Sequence, residues 1–346
     1  MKLNFIIISI LAIYMLFSLS TIFSIGDIDA FYKQIIFWSI AFLIIISSQF
    51  IHYDSILRFP YLQIFYLISI ISLIALFILP SKERIWFNIS GFAIQPSEFV
   101  RIIFISSLAI FISKHYNLLK NYFFLFLSFL ITSPLTLLIF LQPDMGMFIL
   151  YFLTWLFSVL IFLSKKQIFY ISLILIILFL IGWFFIFKDY QKERILTFIN
   201  PERDPLKSGY NLKQLRITIG SAGLLGKGFG KGTQARLGFL PSSKTDFILA
   251  SFIEERGLIG FLIYVILFLI FLRTLLFEGN LIKDPLGVCF SNILVIHFGV
   301  KFLLTTAVNL GIFPIVGLAI PFLSYGGSHL ISDSILLSIW HNFRYK

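Results

Sequence analysis

KDYQKERILTFINPERDPLKSGYNLKQLRITIGSAGLLGKGFGKGTQARLGFLPSSKTD, residues 188–246, is the only long polar segment of the chain, and what flanks it decides the fold. On both sides the sequence is lipid-soluble. Of 346 residues, 59% are hydrophobic and 12% charged, against about 25% charged in an average globular chain. Apolar runs of about eighteen residues or more read as transmembrane helices. They recur at 5–24, 35–52, 60–79, 97–117, 122–141, 145–163 and 168–187 ahead of the segment, and at 247–273, 285–307 and 326–342 behind it. The reading is an all-α polytopic membrane protein of about ten helices, with one long extracellular loop between the seventh and eighth. The runs do not alternate in period two, so a β-barrel is excluded. The first run follows Lys2, is too long for a signal-peptide core and precedes no A-x-A-like site, so it reads as a span.

About half of the net charge of +11 lies in the 188–246 segment. That density implies an anionic partner. Nucleic acid is disfavoured, because the segment has no dense aromatic platform. The single cysteine, Cys289, permits no intrachain disulfide. Short connections on the N-terminal side carry Lys2, Arg58, Lys114, Lys120, Lys165, Lys166, Arg273, Lys283, Arg344 and Lys346, against Lys33, Lys82 and Arg84 on the other. Positive charge therefore places both termini in the cytoplasm and the long loop outside, although it is basic itself.

Within the apolar runs, Gln95-Pro-Ser-Glu98 and Gln142-Pro-Asp144 put proline and an acid where a helix begins. Glu98 and Arg101 share one helical face. They read either as a dipole complement with a snorkelling cation or as a buried functional pair. Lys301, well inside its span, reads either as a snorkelling cation or as one that calls for an internal carboxylate or phosphate. Glu254, Glu255 and Arg256 invite pairing with one another or with another span's cation. Asp333 and His341 are assigned no role. Asn309, Gly311, Pro314, Gly317 and Pro321 break residues 308–328 into a re-entrant segment, which must face protein or a watery cavity.

The glycine run Gly220–Thr233 fails both nucleotide patterns. Gly230-Lys231 is followed by Gly232 rather than Ser or Thr, and Gly228 and Gly230 are followed by Thr233 where the dinucleotide fingerprint needs glycine. What survives is an anion cradle of backbone amides with Lys227 and Lys231, or else a flexible loop on acidic headgroups. Asp246, ahead of an apolar helix, reads as an N-cap or as a catalytic acid.

The ordered blocks Gln95-Pro-Ser-Glu98, Gln142-Pro-Asp-Met-Gly146, Gly223–Gln234, Phe239-Leu-Pro241, Thr245-Asp-Phe-Ile248, Glu254-Glu-Arg-Gly257 and Pro321–Ser328 resemble those of the shape, elongation, division and sporulation family. They are closer to its elongation branch than to its division branch. The chain departs from the pattern at Arg101, where lysine is usual, and at Arg256, His329 and Ala222. The resemblance implies a single membrane domain over 1–346 and a peptidoglycan glycosyltransferase that polymerises lipid II, an undecaprenyl-diphosphate-linked precursor. It implies the outer face of the cytoplasmic membrane, a class B penicillin-binding protein as partner and other elongation-complex membrane proteins nearby. Asp246 matches the family's proposed catalytic carboxylate, and its chemistry suits a general base for inverting transfer. Glu98, Arg101, Lys227, Lys231, Gln234, Lys244, Glu254, Lys301, Ser324 and Tyr325 are the candidate substrate contacts. A divalent ion, Mg or Mn, could assist at Asp246 or Glu254, although no ligand cluster demands one. Two alternatives compete: a lipid II flippase whose path is lined by Glu98, Arg101 and Lys301, and a non-enzymatic membrane scaffold.

Overall fold

The structure is a computed structural model that describes residues 4–50, 60–78, 85–89 and 92–344. Lys2, Arg58, Lys82, Arg84 and Lys346, on which part of the orientation expectation rests, lie outside these residues. Thirteen α-helices occur among the described residues: α1 Phe5–Ile25, α2 Ile28–Ser47, α3 Tyr61–Ile78, α4 Pro96–His115, α5 Tyr122–Leu141, α6 Met145–Leu160, α7 Lys165–Ile181, α8 Asp189–Ile199, α9 Ser208–Gly220, α10 Thr233–Arg236, α11 Ile248–Gly279, α12 Pro285–Asn309 and α13 Gly327–Arg344. A small antiparallel hairpin, Phe87–Ile89 with Phe92–Ile94, is the exception to the all-α class, paired Phe87 to Ile94 and Ile89 to Phe92.

Ten of these helices answer to the ten predicted spans, and eight are long and apolar enough to cross a membrane. The others are α6, which is short, and α13, which carries Asp333 and two histidines. The largest boundary error is at α2. It starts at Ile28 rather than 35, because Asp27 accepts from Ala30 N (2.9 Å) and caps it. Proline sits at the first position of α4, and the Asp144 carboxylate caps α6 by accepting from Met147 N (3.1 Å). The interrupted pattern behind α12 holds too: residues 310–326 are irregular.

Polarity is inverted relative to a soluble bundle. Large apolar side chains cover the outer faces of α1, α2, α3, α5 and α7, whereas Gln34, Glu98, Arg101, His297, Lys301 and Asp333 are buried. The helix α12 is central, packed against α4, α6, α11 and α13, and α13 in turn lies along α2. By contrast, α7 buries none of its side chains and continues into a π turn at Gly182–Ile186.

The 188–246 segment connects the seventh and eighth spans, and much of it is helical. Asn200-Pro201 ends α8, and the chain turns through Pro201–Arg203 into α9. A Cβ on Gly209 would lie 2.1 Å from Pro201 O, so only glycine lets the two helices close this tightly.

Candidate active site

Asp246 ends a tightly held turn. Ser242 adopts φ 48°, a strained conformation for a side-chain-bearing residue, and its carbonyl accepts from Thr245 N and Phe247 N (3.1 Å each). The following carbonyls are held from elsewhere in the chain. Ser251 Oγ donates to Ser243 O (2.9 Å), and Tyr325 N donates to Lys244 O (2.9 Å). Ser324 Oγ donates to Thr245 O (2.7 Å), and Asn309 Nδ2 donates to Asp246 O (2.7 Å). Every main-chain carbonyl from Ser242 to Asp246 is thereby fixed. Such a turn presents one side chain in one place.

The Asp246 carboxylate itself is free of this network. The N-cap of α11 is Phe247, which supplies no side-chain cap, and Ala250 N donates to Asn309 Oδ1 (3.2 Å) instead. The capping explanation of Asp246 therefore falls away. Oδ2 stands 3.6 Å from where a Cβ on Gly317 would be, so the irregular segment after α12 backs the carboxylate. Burial pushes its pKa up to about 6, against the pull of the Arg194 guanidinium. Beside the turn, Lys244 pairs with Asp27 and lies 5.9 Å from the Tyr325 ring centroid. The Lys244 hydrogen bond holds the Asp27 carboxyl below its ordinary range.

The glycine run has a different task from the one expected of it. At Gly257 (φ 68°, ψ −168°) α11 breaks. Residues 223–228 fill the break: Leu258 N and Ile259 N donate to Gly223 O and Leu224 O (3.1 Å each), while Lys227 N and Gly228 N donate to Glu254 O (2.9 Å) and Glu255 O (3.0 Å). Broken backbone inside a membrane protein survives only when protein satisfies it in this way. A Cβ on Gly226 would lie 2.2 Å from Glu255 O, and one on Gly257 would lie 2.3 Å from Gly226 N. The two glycines are needed because two backbones touch.

The anion that this run holds is the protein's own. The Glu254 carboxylate, fully buried, accepts from Lys227 Nζ (2.6 Å), Thr233 N (2.9 Å), Gln234 N (3.0 Å), Thr233 Oγ1 (3.3 Å) and Ala235 N (3.3 Å). It sits at the N-terminus of α10, where a negative charge is favoured. Gly230 N donates to Glu255 Oε1 (3.1 Å), and Arg256 reaches α1 through Ser20 Oγ (2.6 Å) and Thr21 Oγ1 (3.1 Å). Both Glu254 oxygens are engaged within the protein, and no group of three or more His, Cys, Asp or Glu gathers among the described residues.

Glu98, Arg101 and Lys301 come together in the bundle interior, and the structure adds Asp333, which the sequence reading had left without a role. Arg101 Nη2 lies 2.9 Å from Glu98 Oε2 and 2.5 Å from Asp333 Oδ1. Lys301 Nζ lies 3.3 Å from Asp333 Oδ2 and 3.9 Å from Glu98 Oε1. Ser332 Oγ accepts from Arg101 (2.5 Å), and His297 bridges Arg101 (3.2 Å) to Thr154 (3.1 Å). Two carboxylates and two cations cancel, and none is exposed. The site residues thus fall into two groups. Asp246 and Lys244 lie on the turn that Ser324 and Tyr325 hold; Lys227 of the glycine run and Gln234 of α10 meet Glu254 of α11; Glu98, Arg101 and Lys301 form a separate closed cluster. Lys231 is exposed to solvent.

The sequence profile of the cell cycle protein family of FtsW, RodA and SpoVE matches residues 1–346. The chain belongs to this family. It is 35% identical over 275 residues to the peptidoglycan glycosyltransferase MrdB of Escherichia coli (strain K12), covering 79% of this chain and 74% of that relative. It is likewise 35% identical over 304 residues to the probable peptidoglycan glycosyltransferase FtsW of Wigglesworthia glossinidia brevipalpis, covering 82% and 77%. Among solved structures, the fold matches a chain from "Structural coordination of polymerization and crosslinking by a peptidoglycan synthase complex" with a TM-score of 0.77 at 23% identity, covering 99% of this chain and 97% of that one. It also matches the rod shape determining protein RodA of Thermus thermophilus with a TM-score of 0.69 at 19% identity, covering 99% and 96%. The polytopic all-α architecture is therefore the fold of the FtsW/RodA/SpoVE family, and the turn carrying Asp246 is built by contacts that span it from α11 to the end of α12 and the segment before α13.

Proposed function

We propose that the protein is a peptidoglycan glycosyltransferase that polymerises lipid II into glycan strands, acting in cell elongation. The family and the 35% identity to the relative MrdB support this reading. One observation carries the mechanism: Asp246 is the carboxylate left uncommitted by a turn whose backbone is otherwise fully tied.

In the reaction, a hydroxyl of the acceptor sugar attacks the anomeric carbon of the donor. The new C–O bond forms as the bond to the diphosphate breaks. Asp246 takes the hydroxyl proton, and the diphosphate leaves with the electron pair. Attack from the face opposite the leaving group inverts the anomeric centre, as in an inverting glycosidase. A base with a pKa of about 6 is deprotonated at neutral pH yet basic enough to accept a proton from a hydroxyl as it attacks.

The site faces the outside of the cytoplasmic membrane, with both termini inside. The partner is a class B penicillin-binding protein, in keeping with the synthase complex whose chain shares this fold. Flippase action is less supported than the charges suggested, because Glu98, Arg101 and Lys301 saturate one another with Asp333 and leave no charge for a headgroup. The test is direct: the purified protein with its partner, given lipid II, should yield glycan strands in the presence of moenomycin. Lipid II crossing reconstituted vesicles with no polymer formed would replace this function with the flippase.

A further inference from the structure

Gln34 lies wholly buried about two turns along α2 from the cap at Asp27. An amide inside an apolar span is costly unless its groups are paired, and the partners of this one are specific. Nε2 donates to Ser324 O (3.2 Å) and to Ser18 Oγ of α1 (3.2 Å), and Oε1 accepts from Gly326 N (3.1 Å). A carbonyl on one side and an N–H on the other admit the amide in this one orientation. No apolar side chain could make the same bridge.

Both main-chain partners belong to residues 324–326, the strap that holds the Asp246 turn. Ser324 Oγ donates to Thr245 O (2.7 Å) and accepts from Ile320 N (2.8 Å), and Tyr325 N donates to Lys244 O (2.9 Å). From α13, His329 Nε2 donates to Ser324 O as well (3.1 Å). Gly326 takes φ 146°, and a Cβ there would lie 3.0 Å from the imidazole, which reserves the place for glycine. One turn on from Gln34, the Phe37 ring stands 6.3 Å from that of Tyr325, and a Cβ on Gly327 would meet it at 2.7 Å. At the start of the same helix, Asp27 pairs with Lys244 on the turn itself. The helix α2 thus braces the turn directly through Asp27 and, through the strap, by Gln34 and Phe37.

We propose that Gln34 is a positioning residue for glycosyl transfer, setting the place of the Asp246 carboxylate through the main chain of Ser324 and Gly326. This rests on the lipid II polymerase reading. Gln34 acts on the base only through the strap, so its loss should slow the chemical step and leave substrate affinity alone. Misplacing a reacting group by about 1 Å costs about 10²-fold in rate. His329 cannot stand in for it, because the imidazole holds Ser324 O and leaves Gly326 N untouched.

The experiment uses the full chain with its partner, lipid II as substrate, and hydrogen exchange over residues 242–248. Gln34→Met keeps the length of the side chain and none of its hydrogen bonds. It should lower kcat about 10²-fold at a KM within roughly threefold of wild type, and speed exchange at Thr245 and Phe247, whose N–H groups close the turn on Ser242 O. Should it fold poorly, Gln34→Asn, still polar but too short to reach both Ser324 and Gly326, should change both readouts in the same direction. Trp340→Phe, which gives up a buried bond to Ser291 Oγ (3.0 Å) away from the strap, should melt lower with kcat and exchange at the turn unchanged. Combined with Ser324→Ala, Gln34→Met should cost less than the product of the two single losses, because both act through one strap. Wild-type kcat and exchange in the Gln34 variants would overturn the proposal. So would losses that multiply, or a Trp340→Phe enzyme slowed as much at equal melting temperature, either of which makes Gln34 a stability residue only. A wild type that makes no polymer would remove the polymerase reading, and exchange at Thr245 and Phe247 would still decide whether Gln34 holds the turn.

Discussion

Asp333→Asn replaces one carboxylate oxygen with an amide and keeps the side chain's shape, so its effect isolates charge. In the wild type, Glu98 and Asp333 balance Arg101 and Lys301 with none of the four exposed. Neutralising Asp333 strips Arg101 of its 2.5 Å partner and Lys301 of its 3.3 Å partner, leaving one net positive charge in the bundle interior. Glu98, shared at 2.9 Å and 3.9 Å, then has to serve both cations. Breaking a buried pair by removing one member costs about 3–5 kcal/mol, a large part of native stabilities of about 5–15 kcal/mol. The assay is the temperature at which detergent-solubilised protein loses its monodisperse gel-filtration peak. Asp333→Asn should lower it markedly, and the double variant Asp333→Asn with Lys301→Met should recover most of the loss by restoring neutrality. Wild-type melting of the single variant, or a double variant that merely adds the two losses, would refute the charge-balance argument.

Other predictions rest on the turn and the plugged helix break. Gly226→Ala forces a Cβ into Glu255 O and should unseat residues 223–228 from α11, lowering the melting temperature and increasing protease cleavage in that stretch. Because the Asp246 pKa is raised to about 6, polymerisation should fall as pH drops through 6, whereas this group's contribution to stability should rise as pH falls from about 6 towards 4, where the carboxyl is neutral in the fold. Asp144 is also pushed up to about 6 by burial, but it caps α6, so Asp144→Asn, which can still cap, should keep the acid limb of the pH–rate profile. Should that limb vanish, it belongs to Asp144 rather than Asp246. Glu254→Gln removes the negative charge that Lys227 and the N-terminus of α10 share, puts an amide donor where an acceptor oxygen stood, and should destabilise the chain without creating or abolishing a metal dependence.

Ten apolar runs became ten helices, and hydropathy with length decides eight of them as spans; α6 is too short and α13 too polar for that. The 188–246 segment was not legible, because density of Lys and Arg was taken for loop, although Asn200-Pro201 and Gly209 mark where α8 stops and α9 packs back. Asp246 was legible through its motif, but its release from capping depends on Asn309, far along the chain. The glycine run could be counted but not understood, since Gly226 is required by contact with Glu255 and Gly257 as well as by its own φ of 77°. Asp333 was missed although a charge in an apolar helix is a candidate by default. Its partners lie on α4 and α12, and no spacing rule links them.

Asp246→Asn, purified with the partner and given lipid II at neutral pH, tests the central claim most directly. The variant keeps the size of the side chain and every main-chain hydrogen bond of the turn. Loss of a general base should cut the initial rate of glycan polymerisation by about 10²–10⁴-fold, with melting temperature and partner binding unchanged. Polymerisation within a few-fold of wild type would show that the proton goes elsewhere.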